Sequence, residues 1–201
     1  MNSPMRIRAK YLVFLVFFFF PGFGHAHPHV FVDSSFTLIG NGSSIEGVRV
    51  KWVFDEMFTA TITQSFDHDG TFTFNANEKE SVELGAFINL RNHDFFSYIE
   101  VNGSEQIVTE YEDFDTYLES GRVVYEFTLP LDLQMPDSPL VLRFGNFDDS
   151  YYTDIIYTDN PYELRLGTGL TASVVREPEP SLAYYGGTIV PELFEITIRR
   201  N

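Results

Sequence analysis

Apolar and polar residues alternate along most of this chain with the period of two that marks half-buried strands. Val30, Val32 and Ser34 fall on one strand face, and His27, His29, Phe31 and Asp33 on the other. After a turn at Gly40-Asn41-Gly42, Val48, Val50, Trp52 and Phe54 alternate with Arg49 and Lys51. Residues 98–101 run into Asn102-Gly103, a pair that tolerates positive φ and predicts a tight hairpin turn. Further short strands are predicted at 123–129, 140–144, 151–157, 162–166 and 194–198, punctuated by Gly121, Pro130, Pro161 and Gly167. Pro178 and Pro180, set among Glu177 and Glu179, predict a polar loop before the last strand. Short strands at this spacing predict a mainly β, antiparallel, sandwich-like domain.

Two stretches depart from that period. Phe54, Met57, Phe58, Ile62 and Phe66 recur at helical spacing, with Asp55 placed to cap the start. Residues 78–90 carry Val82, Ala86 and Leu90 on one helical face, with Asn77 as the cap. Together they predict a helical pair inserted at about 55–92, making the fold α+β overall. No internal repeat is visible.

The first residues read differently. Arg6, Arg8 and Lys10 precede an apolar run from Tyr11 to Phe20, and Gly24 and Ala26 supply the small residues of a cleavage site. A basic start, a short apolar middle and such a site describe a secretory signal peptide at 1–26. The run is half the ~20 residues a spanning helix needs, so no stable membrane insertion is expected after cleavage. The expected product is one periplasmic domain, 27–201, beginning at His27.

Losing the leader removes three of the 13 bases and none of the 29 acids. So acidic a surface repels nucleic acid and attracts cations. The chain has no cysteine, which removes disulfides and thiolate ligands and leaves imidazole nitrogen and oxygen donors for any metal.

Residues two apart on a strand point to one side, about 7 Å apart, so His27 and His29 can reach one ion together. A new α-amine at His27 adds a third nitrogen once deprotonated. Pro28 has no N–H, which blocks the copper arrangement that uses an amine, two backbone amides and a third-position histidine. The remaining set suits zinc, nickel, cobalt or copper. The same two histidines also read as solvated groups at a frayed terminus.

Asp67-His68-Asp69-Gly70 resembles the middle of a calcium loop. With Asp69 and Gly70 at the fifth and sixth positions, Ser65 falls at the first and Ala76 at the twelfth, where a bidentate Glu belongs. In that register the stretch reads as an acidic turn between helices, with His68 as a candidate imidazole ligand. His93, beside Asp94, reads as a helix-end group or a ligand. Asp148, Asp149 and Asp154, among Phe147, Tyr151 and Tyr152, read as a carboxylate site or as a loop feeding a strand. The chain has no Gly-x-Ser-x-Gly turn, phosphate loop or HExxH helix, so no enzyme is expected.

Five pieces in order carry a resemblance: residues 26–30, residues 51–58, the Asp67–Gly70 turn, residues 94–98 and residues 148–154. The chain resembles a family of bacterial periplasmic proteins described as the periplasmic component of an ABC-type transport system. That resemblance implies an inner-membrane permease of the nickel and cobalt type as partner, some members being implicated in zinc uptake. It also implies His27 and His29 as metal ligands. Where the family's acidic loop runs longer and closes with Glu, this chain departs in the register above.

The expectation is a periplasmic accessory protein of a metal transporter that binds a divalent transition metal at His27 and His29. Asp33, His68 or His93 would complete the site. The alternative is a sandwich module that docks on a membrane partner without metal.

Overall fold

The computed structural model describes residues 28–201. The segment expected to be a leader, 1–26, and His27 lie outside them. Ten strands form two five-stranded sheets, and a helical segment separates the second strand from the third.

The first sheet has the order β5-β6-β2-β1-β8. It comprises β1 (Val30–Gly40), β2 (Ser44–Phe54), β5 (Glu112–Glu119), β6 (Arg122–Gln134) and β8 (Thr153–Arg165). The second sheet has the order β4-β3-β7-β10-β9. Its strands are β3 (Ser97–Val101), β4 (Ser104–Gln106), β7 (Leu140–Asn146), β9 (Leu170–Pro178) and β10 (Glu192–Arg200). All neighbours pair antiparallel except β1 and β8, which run parallel with Val32 opposite Ile155.

The two sheets face each other because their strands alternate as expected. Val30, Val32, Ser34, Phe36 and Leu38 of β1 are all buried. Across the interface the Phe36 ring lies 4.7 Å from Phe144 on β7 and 5.0 Å from Phe194 on β10. One polar joint crosses the same core. The Ser34 hydroxyl donates to Asn146 Oδ1 at 3.0 Å, and Asn146 Nδ2 donates to Ser97 Oγ at 2.8 Å. The β1–β2 turn is closed by Asn41, whose side-chain oxygen accepts from Ser43 and Ser44 amides. Gly42 sits there at φ +90, where an added Cβ would lie 2.3 Å from the Thr168 carbonyl oxygen.

The helical segment holds α1 (Glu56–Phe66), α2 (Ala76–Gly85) and a run of tighter 3₁₀ turns over Phe87–Phe96. Asp55 caps α1 by accepting from the Phe58 amide, and its second oxygen accepts from Phe31 on β1. The buried Thr59 hydroxyl accepts from the Val123 amide of β6 at 2.9 Å. Lys79 on α2 pairs with Asp115 on β5 at 2.6 Å. Phe87 is fully buried, stacked on Phe114 at 4.3 Å and packed against Phe95 and Tyr111. These contacts make the helices a lid over one end of the first sheet.

The second helix differs from the expectation of 78–90 behind Asn77. It starts earlier, because the Asn75 side chain accepts from the amides of Asn77 and Glu78 while the Asn75 amide donates to the Glu78 carboxylate. It stops at Gly85, where Ala86 leaves the helical region and the chain turns Phe87 inward. Asp94, Phe95 and Phe96 then follow each other at φ near +50, a conformation costing non-glycine residues about 1–2 kcal/mol apiece. Full burial of Phe95 and hydrogen bonds to the Phe95 and Phe96 carbonyls, from Ser97 Oγ, Asn146 Nδ2 and the Phe147 amide, offset that strain.

Two other boundaries move. The strands expected at 151–157 and 162–166 are one strand, β8, running through Pro161. Its pairing with β1 slips between Ser34 and Phe36, and a proline fits at such a bulge on an edge strand. Of the polar loop expected at Pro178 and Pro180, Pro178 ends β9 while Pro180 opens a 3₁₀ turn in the segment before β10, and neither β9 nor β5 was expected. Both are edge strands with largely exposed faces, so neither shows a run of apolar alternation.

Candidate cation site

Asp67 ends α1, and Asn75 begins α2 as its cap. Between them the chain folds back on its own carboxylates. Asp67 Oδ1 accepts from the Thr71 amide at 3.1 Å and Oδ2 from the Phe72 amide at 2.9 Å. Asp69 Oδ1 accepts from the same Thr71 amide at 3.1 Å. Glu78 is 3 % exposed, and its carboxylate accepts from the His68 amide at 2.8 Å and the Asn75 amide at 3.0 Å. One oxygen from each of Asp67, Asp69 and Glu78 lies within 4.8 Å of the others. Among the described residues this is the single group of three or more such side chains. Hydrogen bonding by Thr71 holds the Asp69 carboxyl below its ordinary range, favouring the charged form a cation needs.

A helix–loop–helix calcium site takes its ligands from loop positions one, three, five, seven, nine and twelve. Counting from Asp67, those positions hold Asp67, Asp69, Thr71, Thr73, Asn75 and Glu78. Thr71 Oγ1 lies 2.9 Å from Thr73 Oγ1 and 3.4 Å from the Thr73 carbonyl oxygen, which is the seventh-position donor. The sixth position, where such loops need a glycine for the sharp turn, holds Phe72 at φ +54. Phe74 at the eighth position is buried and ties the loop to the core. The register counted from Ser65 is therefore off by two. Glu78, rather than Ala76, closes the loop, and the glycine at position 70 occupies the fourth place.

The other candidate residues are dispersed. His29 is exposed, with its ring 5.0 Å from Tyr152. Asp33 pairs with Arg122 at 2.7 Å. His68 contributes its backbone amide to Glu78, and no other candidate ligand joins it in a group of three. His93 is exposed, 5.9 Å from the Phe96 ring, and lines a shallow 320 Å³ pocket with Asp94, Tyr98 and Asp149. Asp148 is buried and accepts from Ser150 and Thr153, fastening the loop before β8. Burial raises the Asp154 carboxyl. His27 lies outside the described residues.

The family model described as "Protein of unknown function (DUF1007)" matches residues 12–185, most of the chain. The chain belongs to the DUF1007 family. It is also similar to the "Uncharacterized 15.5 kDa protein in trpE 3'region" of Spirochaeta aurantia. The two are 31 % identical over 135 residues, covering 65 % of this chain and 95 % of that protein.

In this DUF1007 chain the sequence reading missed Thr71, Thr73, Asn75 and Glu78 as loop residues. The signal was present as oxygen-bearing side chains at alternate positions from Asp67 to Asn75, followed by Glu78. Fixing the register on Gly70 hid it. Among the described residues no helix is long and apolar enough to cross a membrane.

Proposed function

We propose that this chain is an exported, periplasmic protein that binds a divalent cation in the loop 67–78, and that the cation is calcium. The observation that carries this is the buried carboxylate of Glu78, held twelfth in a loop between two capped helices with Asp67 and Asp69. Every donor in the set is oxygen. Calcium takes six to eight oxygen ligands in a flexible shell, whereas zinc prefers four, drawn mainly from nitrogen and sulfur. No catalytic group is part of this reading. The resemblance to periplasmic transport components supports a role beside a membrane permease, supplying or sensing the cation.

A second reading keeps a transition metal at the mature N-terminus. It rests on the two-residue spacing of His27 and His29 and on the exposure of the His29 ring beside β1.

Calorimetric titration of calcium, magnesium, zinc and nickel into the mature chain, with its Glu78→Gln and His29→Ala variants, separates them. Changes outside the ligand shell alone cost about 10–100-fold in metal affinity, so loss of the Glu78 carboxylate should cost at least that. Calcium binding that survives Glu78→Gln unchanged refutes the loop reading. Zinc binding lost in His29→Ala, with calcium binding absent, selects the second one.

A further inference from the structure

Between the inner face of the first sheet and the helical segment lies a cavity of about 190 Å³. On the sheet side it is walled by Val32, Trp52 and Tyr125 from three neighbouring strands, with Ile155 from β8. Phe58 of α1 and Leu90 of the 3₁₀ run line the helical side. Those two are only half-buried, and Tyr152, at the start of β8, is 58 % exposed, so the space opens to solvent.

The surface of this cavity is almost wholly carbon, and among the described residues no charged side chain lines it. The chain as a whole carries 29 acids and 13 bases. Protein interiors are close-packed, and an empty space of this size forfeits contacts on every wall. Water is a poor filler, because a held water needs several polar partners. The Trp52 Nε1 and Tyr125 Oη atoms are sealed from solvent and supply none. A dry engineered cavity of about 150 Å³ takes up the six carbons of benzene, and on that scale this one holds roughly eight carbons.

We propose that this cavity binds the hydrocarbon part, roughly eight carbons, of a small uncharged aliphatic molecule taken up from solution. The chain lies against Trp52, beneath Phe58 and Leu90, and its polar end stays at the mouth beside Tyr152. The end is uncharged because no lining residue supplies a counter-charge. The molecule is free rather than part of a bilayer, because so acidic a surface is repelled by an anionic membrane.

Trp52 is the single tryptophan of the chain and lines the cavity, so its emission reports occupancy. The mature chain is titrated with 1-hexanol, 1-octanol and 1-decanol in chelator, so that the cation loop has no part in the result. A saturable change is expected, with 1-octanol bound about 15-fold more tightly than 1-hexanol, at about fourfold per buried methylene. The gain should then stop: 1-decanol should bind within about twofold of 1-octanol, because its further carbons are not buried. Ala86→Leu adds bulk at the cavity wall and should weaken 1-octanol at least about tenfold, the circular dichroism of the sheet being retained. Ala60→Leu, at an exposed position of α1, should change nothing. Should Ala86→Leu fail to fold, the chain-length limit in the unaltered chain decides alone. No saturable change in that chain overturns the proposal. So does affinity that keeps rising about fourfold per methylene through 1-decanol, which is adsorption without a bounded site, and so does a folded Ala86→Leu protein that binds 1-octanol as tightly as its parent. A Trp52 response to phosphatidylglycerol vesicles with none to 1-octanol also overturns it, since the occupant is then a bilayer chain.

Discussion

Phe72 occupies the one loop position where a calcium loop wants glycine, and it does so at φ +54 with its ring 68 % exposed. Replacing it with glycine should therefore stabilise the protein. The backbone gains relief from a left-handed conformation that costs a side-chain-bearing residue about 1–2 kcal/mol. Glycine gives back about 0.4–1 kcal/mol through the larger entropy of the unfolded chain. The exposed ring has little burial to lose, and the Phe72 amide that donates to Asp67 remains. The net expectation for Phe72→Gly relative to Phe72→Ala is a gain of roughly 1 kcal/mol, because alanine keeps the Cβ and its strain. Urea unfolding of the three proteins in chelator measures the difference. Calcium affinity of the glycine variant should equal or exceed that of its parent, since the loop reaches its turn without strain. If glycine is less stable than alanine, either the left-handed turn or the assignment of position six is wrong.

Other changes probe the lid and its charges. Asn75→Ala removes the acceptor for two amides at the start of α2 and should cost about 1 kcal/mol in chemical denaturation. Phe87→Ala empties the centre of an aromatic cluster with no exposure at all; a loss of about 3–5 kcal/mol is expected by the same assay. Calcium at 100 times its dissociation constant should stabilise the protein by about 2.7 kcal/mol, raising Tm by roughly 5–10 °C for a domain of this size, and Glu78→Gln should abolish that shift. Tyr98 and Tyr111 are pushed up from 10.0 to about 12, chiefly by burial and then by hydrogen bonds to Glu100 and Glu83. Their folded-state value exceeds the unfolded one, so their contribution is complete below pH 10 and is lost as pH rises towards 12. Unfolding free energy measured across that window should fall, and Tyr111→Phe should fall less.

The helical segment ties the cation loop to the first sheet. α1 leads from Asp55, anchored on β1, to Asp67 in the loop, and α2 leads from the loop towards Leu90 at the cavity. The contacts that hold those helices to the sheet, Thr59 to Val123 and Lys79 to Asp115, limit how far they move.

Sequence alone determined the class of this fold. A period of two over β1 and over residues 48–54 of β2 specifies sheet, because those positions bury one face and leave the other half-exposed, whereas β6 buries both faces at 123–125 and 127–129. The first helix was legible for the same reason, with Asp55 before Phe58 and Ile62 at helical spacing. Local signals also fixed the turn at Asn102-Gly103, where both residues have positive φ. β5 and β9 were invisible because edge strands need pairing on one side only, and their sequences carry few buried positions. The loop register was decided by tertiary structure. A lone glycine suggests a sharp turn, but the turn is made at Phe72, where amide hydrogen bonds to Asp67 and burial of Phe74 outweigh the left-handed strain. The cavity was beyond sequence altogether. It forms only where α1 and the 3₁₀ run pack over Trp52 and Tyr125 of neighbouring strands, residues far apart in the chain.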